Sequence, residues 1–265
     1  MSEPTDPSTP VADPAVLGLV DDATLEAGWL GGLVGTRAVP DTEAPAALAS
    51  TTGSTVTAPP LTLVVTGGAG QVIGPLALLA KRGVHPAGLE VSLRDSGDPL
   101  GNARRVVAAV DSARAEGLVP DEMPVWVVMT PDEAGHGWLA AADEVTMSGL
   151  HLGLPTHAPG LLPSMVATWI DAALDRETPF RCTGGLDTAL TGPERVGWLS
   201  LLAATTLAFD GAGGSEVTAA LLSPDAEHLL GLEPHRARRW FRSFASARPE
   251  AVAQEAAGLG LLSLV

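Results

Sequence analysis

The chain has 265 residues, 46% of them hydrophobic, enough for one large buried core and close to the roughly 250 residues of a closed α/β barrel. Its formal net charge of -16 repels phosphate backbones and anionic membranes, which argues against nucleic-acid and membrane partners. A lone cysteine, Cys182, excludes an internal disulfide framework and suits a reducing cytoplasm, and no apolar run approaches the ~20 residues of a membrane span.

Residues 1–14 are rich in Pro, Ser, Thr, Asp and Glu and lack a basic region followed by an apolar run. They read as a disordered tail rather than a signal peptide. A single barrel-like domain is expected over 15–265.

From there strand-like and helix-like stretches alternate. A weak first strand is expected at Leu17-Gly18-Leu19-Val20, and a second over Leu33 to Val39, stopped by Pro40. Residues 41–60 are Pro-, Ala-, Ser- and Thr-rich, so a helix is expected to be shortened there. Leu61 to Thr66 is β-rich and ends in glycines, and a helix follows over 71–82. Leu89 to Leu93 is the next strand. Val106, Val107, Val110 and Ala113 then share one face of a helix over 102–116, with Gly117 as its stop. Val125 to Met129 is almost continuously apolar, as a strand buried on both faces should be. A helix over 132–142 is weakened by Gly135 and Gly137. Leu150 to Leu154 is a strand, and Ser164 can cap a helix burying Met165, Val166, Trp169, Ile170, Ala173 and Leu174.

The next strand, Phe180 to Thr183, ends in a cation, a hydroxyl and two glycines. Glycine has no Cβ, so a backbone there can approach a ligand closely. An apolar helix over 194–208, a short amphipathic stretch, a final strand at Arg242 to Ser246 and a helix over 249–258 complete the chain. Eight strands with a helix after most of them predict a parallel (β/α)8 TIM-barrel-like fold rather than an open doubly wound sheet.

Ligands of such barrels bind at the C-terminal ends of the strands. That rule selects Asp21, Asp22, Thr66, Arg94, Asp95, Thr130, His151, and Arg181 with Thr183 to Asp187. Arg181 is the expected holder of a small anionic metabolite, a carboxylate or phosphate. Thr183, Gly184, Gly185, Arg94, Asp95 and Asp21 are its expected companions in the binding site, and Asp187 or His151 is the acid/base candidate. Arg181 and Cys182 alternate along their strand, so Cys182 is expected on the helix side as a buried thiol. No metal-ligand spacing is present, although His151, His157 and Asp187 are the side chains that could converge. Thr66 to Gly74 looks like a dinucleotide loop with Asp95 beyond the next strand. Its glycine spacing is one residue too long and the chain has no tyrosine for the short-chain dehydrogenase pair, so a plain strand-to-helix turn is the expected role and no cofactor is expected. Arg236, Arg238, Arg239 and Arg242 around Trp240 read as a solvated helix face with Trp240 and Phe241 buried.

Phe180, Thr183, Gly185, Leu186 and Leu190 resemble the hallmark of a family of uncharacterised bacterial barrel-like proteins, approximately Pro-Phe-Lys-Ala-Thr-Ala-Gly-Leu-His-His-Pro-Leu, with Arg181 in place of the lysine. Pro163-Ser164, Gly197 to Leu207, Asp21 to Ala23 and Phe244 to Leu261 are similar to other parts of that family. The resemblance implies a barrel with a site at this strand. The family's two histidines correspond to Asp187 and Thr188, its Lys-x-Arg pair to His151 and Gly153, and an asparagine to Ser200. Those replacements imply a divergent member with another ligand, or a barrel that has lost its ancestral activity and plays a structural or regulatory part. An oxidoreductase binding NAD(P) through Gly67 to Gly74 is the remaining alternative.

Overall fold

A computed structural model describes residues 12–24, 28–46, 59–193 and 195–263. Eight strands run parallel in sequence order and close on themselves: β1 Val20–Asp22, β2 Val34–Pro40, β3 Leu61–Val65, β4 Gly88–Ser92, β5 Val125–Val128, β6 His151–Leu154, β7 Phe180–Cys182 and β8 Phe241–Ser246. Closure is made by β8 pairing with β1, with Val20 opposite Phe244 and Asp22 opposite Ser246. This is the (β/α)8 barrel that the alternating pattern predicts.

The helices are α1 Ile73–Ala80, α2 Pro99–Ala115, α3 His136–Met147, α4 Pro163–Asp175, α5 Trp198–Phe209, α6 Gly214–Leu222, α7 Ala226–Gly231 and α8 Pro249–Gly258. Local chemistry sets several of their starts. Asp98 caps α2 by accepting the Gly101 N–H at 2.9 Å, and Pro99 supplies a pre-set φ at the first position. In α4 the residues Val166, Trp169, Ile170 and Ala173 face the barrel, as their spacing predicts. The indoles of Trp138 and Trp169 stack at 6.4 Å, and their N–H groups donate to the carbonyls of Thr130 at 3.1 Å and Asp132 at 3.0 Å. Trp138 and Trp169 therefore pin the loop after β5 with both of their own indole donors paired. Residues Trp198 to Thr206 of α5 are all buried. This helix is apolar on every side because α6, α7 and the turn at Pro234–Arg239 pack over its outer face.

Five expectations shift. Ser164 does not cap α4, which has Leu162 at its N-cap position without a side-chain hydrogen bond and begins at Pro163. The first strand lies at Val20–Asp22 rather than 17–20, because Gly18 has φ +60 and Leu17 is turned out to solvent. Helix α3 begins at His136, after an extended Gly135, and runs on to Met147. Helix α5 begins only at Trp198, so β7 is followed by a long loop. The basic cluster is a 3-10 turn, Pro234–Arg239, leading straight into β8, rather than a solvated helix face. Trp240 and Phe241 are buried as expected. Arg238 turns inward and donates to the carbonyls of Phe241 (2.7 Å), Arg242 and Leu17 (3.0 Å). Its burial and the nearby Arg242 pull its pKa down to about 10.

The expected tail lies outside the described residues up to residue 11, and the expected shortening over 41–60 falls mostly on 47–58, also outside them. Ala12 bridges Leu262 and the Asp13 N–H donates to the Leu261 carbonyl, so the backbone from Ala12 onward is tied to the C-terminal segment. Among the described residues no helix is long and apolar enough to cross a membrane.

Candidate functional site

A cavity of about 820 Å³ opens at the C-terminal ends of the strands. Its walls come from the loops after β6 and β7, with Ala23 after β1 and Ala245 and Ala247 at the end of β8. Its polar side chains are Thr156, His157, Thr183, Asp187 and Arg195, and Gly184 and Gly185 lie among them.

The loops are fastened to each other. The Thr183 N–H donates to the Leu154 carbonyl at 3.1 Å, which continues the β6–β7 ladder one residue past the strand. Thr156 Oγ1 donates to the Gly184 carbonyl at 2.6 Å. His157 Nδ1 lies 2.6 Å from Thr183 Oγ1. Gly185 has φ +79, and a Cβ there would sit 2.9 Å from the Thr156 carbonyl oxygen and 3.1 Å from the His157 Cα. Only glycine lets these two loops approach so closely. Among the described residues, the N–H groups of Gly184 and Gly185 donate to no acceptor. On the facing wall, Asp187 Oδ1 accepts the Ser246 hydroxyl at 2.8 Å, and Oδ2 meets Arg195 Nη1 at 3.2 Å. The Asp187 side chain is 11% exposed and that of Arg195 57% exposed, so the carboxylate anchors a guanidinium that still faces solvent.

Arg181, the expected anion holder, does not line this cavity. It is 1% exposed, and its guanidinium points into the barrel, with Nη2 3.0 Å from Asp21 Oδ2 and Nη1 3.3 Å from Glu90 Oε2. Strands β4 and β7 are not neighbours, so the contact with Glu90 spans the barrel's interior. Asp21 is buried too, accepting the hydroxyls of Thr36 at 2.6 Å and Ser243 at 2.5 Å, and Thr36 meets Thr62 at 3.0 Å. The strand-end rule placed Arg181 and Asp21 at the mouth. The inward alternation of each strand instead directs them to one another, because a buried cation needs a buried anion.

Two carboxylates share this one guanidinium. Burial pushes the Glu90 carboxyl up, Arg181 draws it back, and the charge on Asp21 raises it again. The net direction is upward. Burial works against charge on Arg181, but Asp21 and Glu90 outweigh it and the pKa rises. A carboxyl whose folded pKa lies above its unfolded value binds more protons in the folded state. Its contribution to stability is present below the unfolded pKa and is lost as pH rises through the folded one. Glu90→Gln should therefore flatten the pH dependence of stability on the alkaline side of the ordinary glutamate range. At pH 7 the variant should be at least as stable as the wild type. Thermal unfolding of both proteins from pH 4 to pH 8 measures this, and an unchanged slope with a much less stable variant would count against it.

His151 and Asp187 do not meet. His151 opens β6, at the N-terminal end of the strands, where its ring lies 5.0 Å from that of Trp126 and Nδ1 is 3.5 Å from Thr178 Oγ1. Burial and Arg242 lower its pKa. Asp187 follows β7 at the other end of the barrel, so the two acid/base candidates occupy opposite faces. Arg94 and Asp95 follow β4 and do not line the cavity. Arg94 donates to the Thr66 carbonyl and lies along Gly68, and Asp95 accepts the Gly97 N–H at 2.9 Å. The turn after β3 is closed on itself, since a Cβ on Gly67 would fall 1.8 Å from the Gln71 side chain. Cys182 is fully buried, and burial pushes its thiol up to about 12, far from a reactive thiolate. Among the described residues, no group of three His, Cys, Asp or Glu side chains is placed to hold a metal ion.

Two groups of the cavity carry more weight than the sequence assigned them. His157 follows β6 in a Pro-Thr-His-Ala-Pro-Gly loop, and Arg195 sits in the loop before an apolar helix. Their shared signal is a polar residue in a Pro- and Gly-bearing loop between a strand and the following helix, which is where a barrel builds its mouth.

No family model and no curated protein matches the chain. Among solved structures, the dihydropteroate synthase of Xanthomonas albilineans, determined with 4-aminobenzoic acid, is similar at 12% identity and a TM-score of 0.31. The match covers 84% of this chain and 62% of that one, so the chain spans less than two thirds of that protein's length. A likeness this distant carries no argument about chemistry, and the barrel rests on its own strand order.

Proposed function

We propose that the chain is a divergent barrel enzyme that binds a small anionic metabolite, a carboxylate or phosphate, at the mouth formed by the loops after β6, β7 and β8. The observation that carries this reading is the meeting of Arg195, His157, Thr183 and the glycines Gly184 and Gly185 around one cavity. Arg195 spends one N–H on Asp187 and keeps others for a ligand, in a chain whose overall charge otherwise repels anions. Backbone N–H groups near glycines add donors of fixed direction without adding a competing proton. Asp187 is the orienting group in this reading, holding Arg195 against Ser246.

The test is a thermal-shift panel of small carboxylates, sugar phosphates and inorganic phosphate. At least one anion should stabilise the wild type. Arg195→Ala should weaken that ligand about ten- to hundred-fold, the loss expected for a hydrogen bond to a charged group. The variant's own unfolding temperature should barely change, because the side chain is solvent-exposed. No stabilisation by any anion across the panel would overturn the reading in favour of a non-catalytic barrel.

A further inference from the structure

Beyond binding an anion, the cavity carries a second arrangement. We infer that Thr183 and His157 form a nucleophile–base pair that takes the acyl group from a small carboxylic ester. The choice of an anionic ester rests on the anion site proposed above, whereas the acyl step itself does not.

Three observations support the pair. First, Thr183 Oγ1 and His157 Nδ1 are 2.6 Å apart, and the other acceptor near the hydroxyl, the Leu154 carbonyl, is 3.5 Å away. A hydroxyl is a weak nucleophile until a base sits within hydrogen-bond reach of it. Second, both side chains line the open cavity, while the neighbouring Cys182 is buried on the helix side and its thiol is withdrawn from chemistry. Third, the two residues after the hydroxyl are Gly184 and Gly185, whose N–H groups have no acceptor among the described residues. Backbone donors immediately after a nucleophile are the usual source of stabilisation for the oxygen of a tetrahedral intermediate.

The step balances without any oxidant or metal. Thr183 Oγ forms a bond to the ester carbonyl carbon, and its proton passes to His157 Nδ1. The carbonyl oxygen becomes an oxyanion facing the glycine N–H groups. Collapse breaks the bond to the alcohol, which leaves with the proton from His157. A water then loses a proton to His157 and attacks the acyl group on Thr183. The carboxylic acid is released and the hydroxyl restored. In an anionic ester the distal carboxylate would rest on Arg195.

The probes are p-nitrophenyl acetate and its anionic counterpart, p-nitrophenyl hemisuccinate, with nitrophenolate release followed by absorbance and the adduct located by peptide mass spectrometry. The wild type should acquire an acyl group on Thr183, faster from the hemisuccinate. Thr183→Val should abolish that adduct, Thr183→Ser should restore it, and His157→Gln should slow its formation about 10²- to 10⁴-fold. Thermal unfolding of each variant confirms that it is folded. An acyl group found only elsewhere on the wild type, or an unchanged rate in Thr183→Val, would overturn the pair. The two proposals fail separately. Equal rates with both esters, with the adduct still on Thr183, would remove only the role of Arg195. Stabilisation by anions without acylation would leave the anion site and remove the pair.

Discussion

Arg181→Ala should lower the stability of the barrel by about 3–5 kcal/mol, read as the shift in the urea unfolding midpoint at pH 7. The size of the effect comes from what the truncation leaves behind. Asp21 and Glu90 are both buried, and Arg181 is the cation within 3.0–3.3 Å of each. Without it two carboxylates stand in the interior of one barrel, Asp21 with the hydroxyls of Thr36 and Ser243 and Glu90 without its paired cation. The loss should therefore shrink as pH falls, because protonation removes the uncompensated charge. Arg181→Met restores much of the lost volume but not the charge, so it should remain strongly destabilised. Adding Asp21→Asn and Glu90→Gln to Arg181→Met should recover a large part of the stability, since a buried ionic cluster is commonly replaceable as a whole, whereas removing its cation alone leaves buried charge uncompensated. A loss below about 1 kcal/mol for Arg181→Ala would show that the interior charges are not coupled as their distances indicate.

Gly185→Ala should cost about 2–3 kcal/mol, most of it from backbone strain and a clash with another backbone. Its φ of +79 lies in the left-handed region, and the new Cβ would meet the Thr156 carbonyl oxygen at 2.9 Å and the His157 Cα at 3.1 Å. Neither neighbour is a side-chain tip that can swing away, so the loop after β6 must move. That movement separates His157 from Thr183, and binding at the mouth should fall together with stability. Gly74→Ala is the control. A Cβ at Gly74 meets nothing within 4 Å and the residue is in helix α1, so the change should be neutral or stabilising by up to about 1 kcal/mol. Differential scanning calorimetry of the two variants measures the contrast. A Gly185→Ala protein as stable as Gly74→Ala would refute the packing argument.

Much of the fold was legible because its signals are local. Val125 to Val128 reads as a strand from four consecutive apolar residues, all of which are buried, and α4 reads as a helix from the spacing of Val166, Trp169, Ile170 and Ala173. Period and β-branched content survive without knowing any neighbour. The weak points were elements whose ends depend on packing. Leu17 to Val20 has strand composition, yet Gly18 turns the chain and the pairing begins at Val20. The Arg236 to Arg242 cluster has helical spacing, yet β8 needs Phe241 as its partner for Phe180, and the chain straightens to supply it.

The mouth of the barrel was legible in place, and the residues that line it only in part. Thr183, Gly184, Gly185 and Asp187 stand at the mouth because they follow β7, and a barrel puts its loops there. Arg181 and Asp21 precede the mouth by only a residue or two, and that difference is the whole distance between a ligand-facing cation and a buried one.

Alternation along the chain by itself determined eight β-rich segments, the helices between them and the loop that follows the seventh strand, because burial periodicity and glycine placement are properties of neighbouring residues. Only the tertiary structure decided that Arg181 would pair with Glu90 across the interior, that His151 would lie at the far end from Asp187, and that His157 and Arg195 would join Thr183 around one cavity. Those outcomes depend on closure, which brings residues from distant parts of the chain within hydrogen-bond reach. A charged side chain finds its partner according to which side of the closed sheet it faces, and the sequence position alone does not carry that distance.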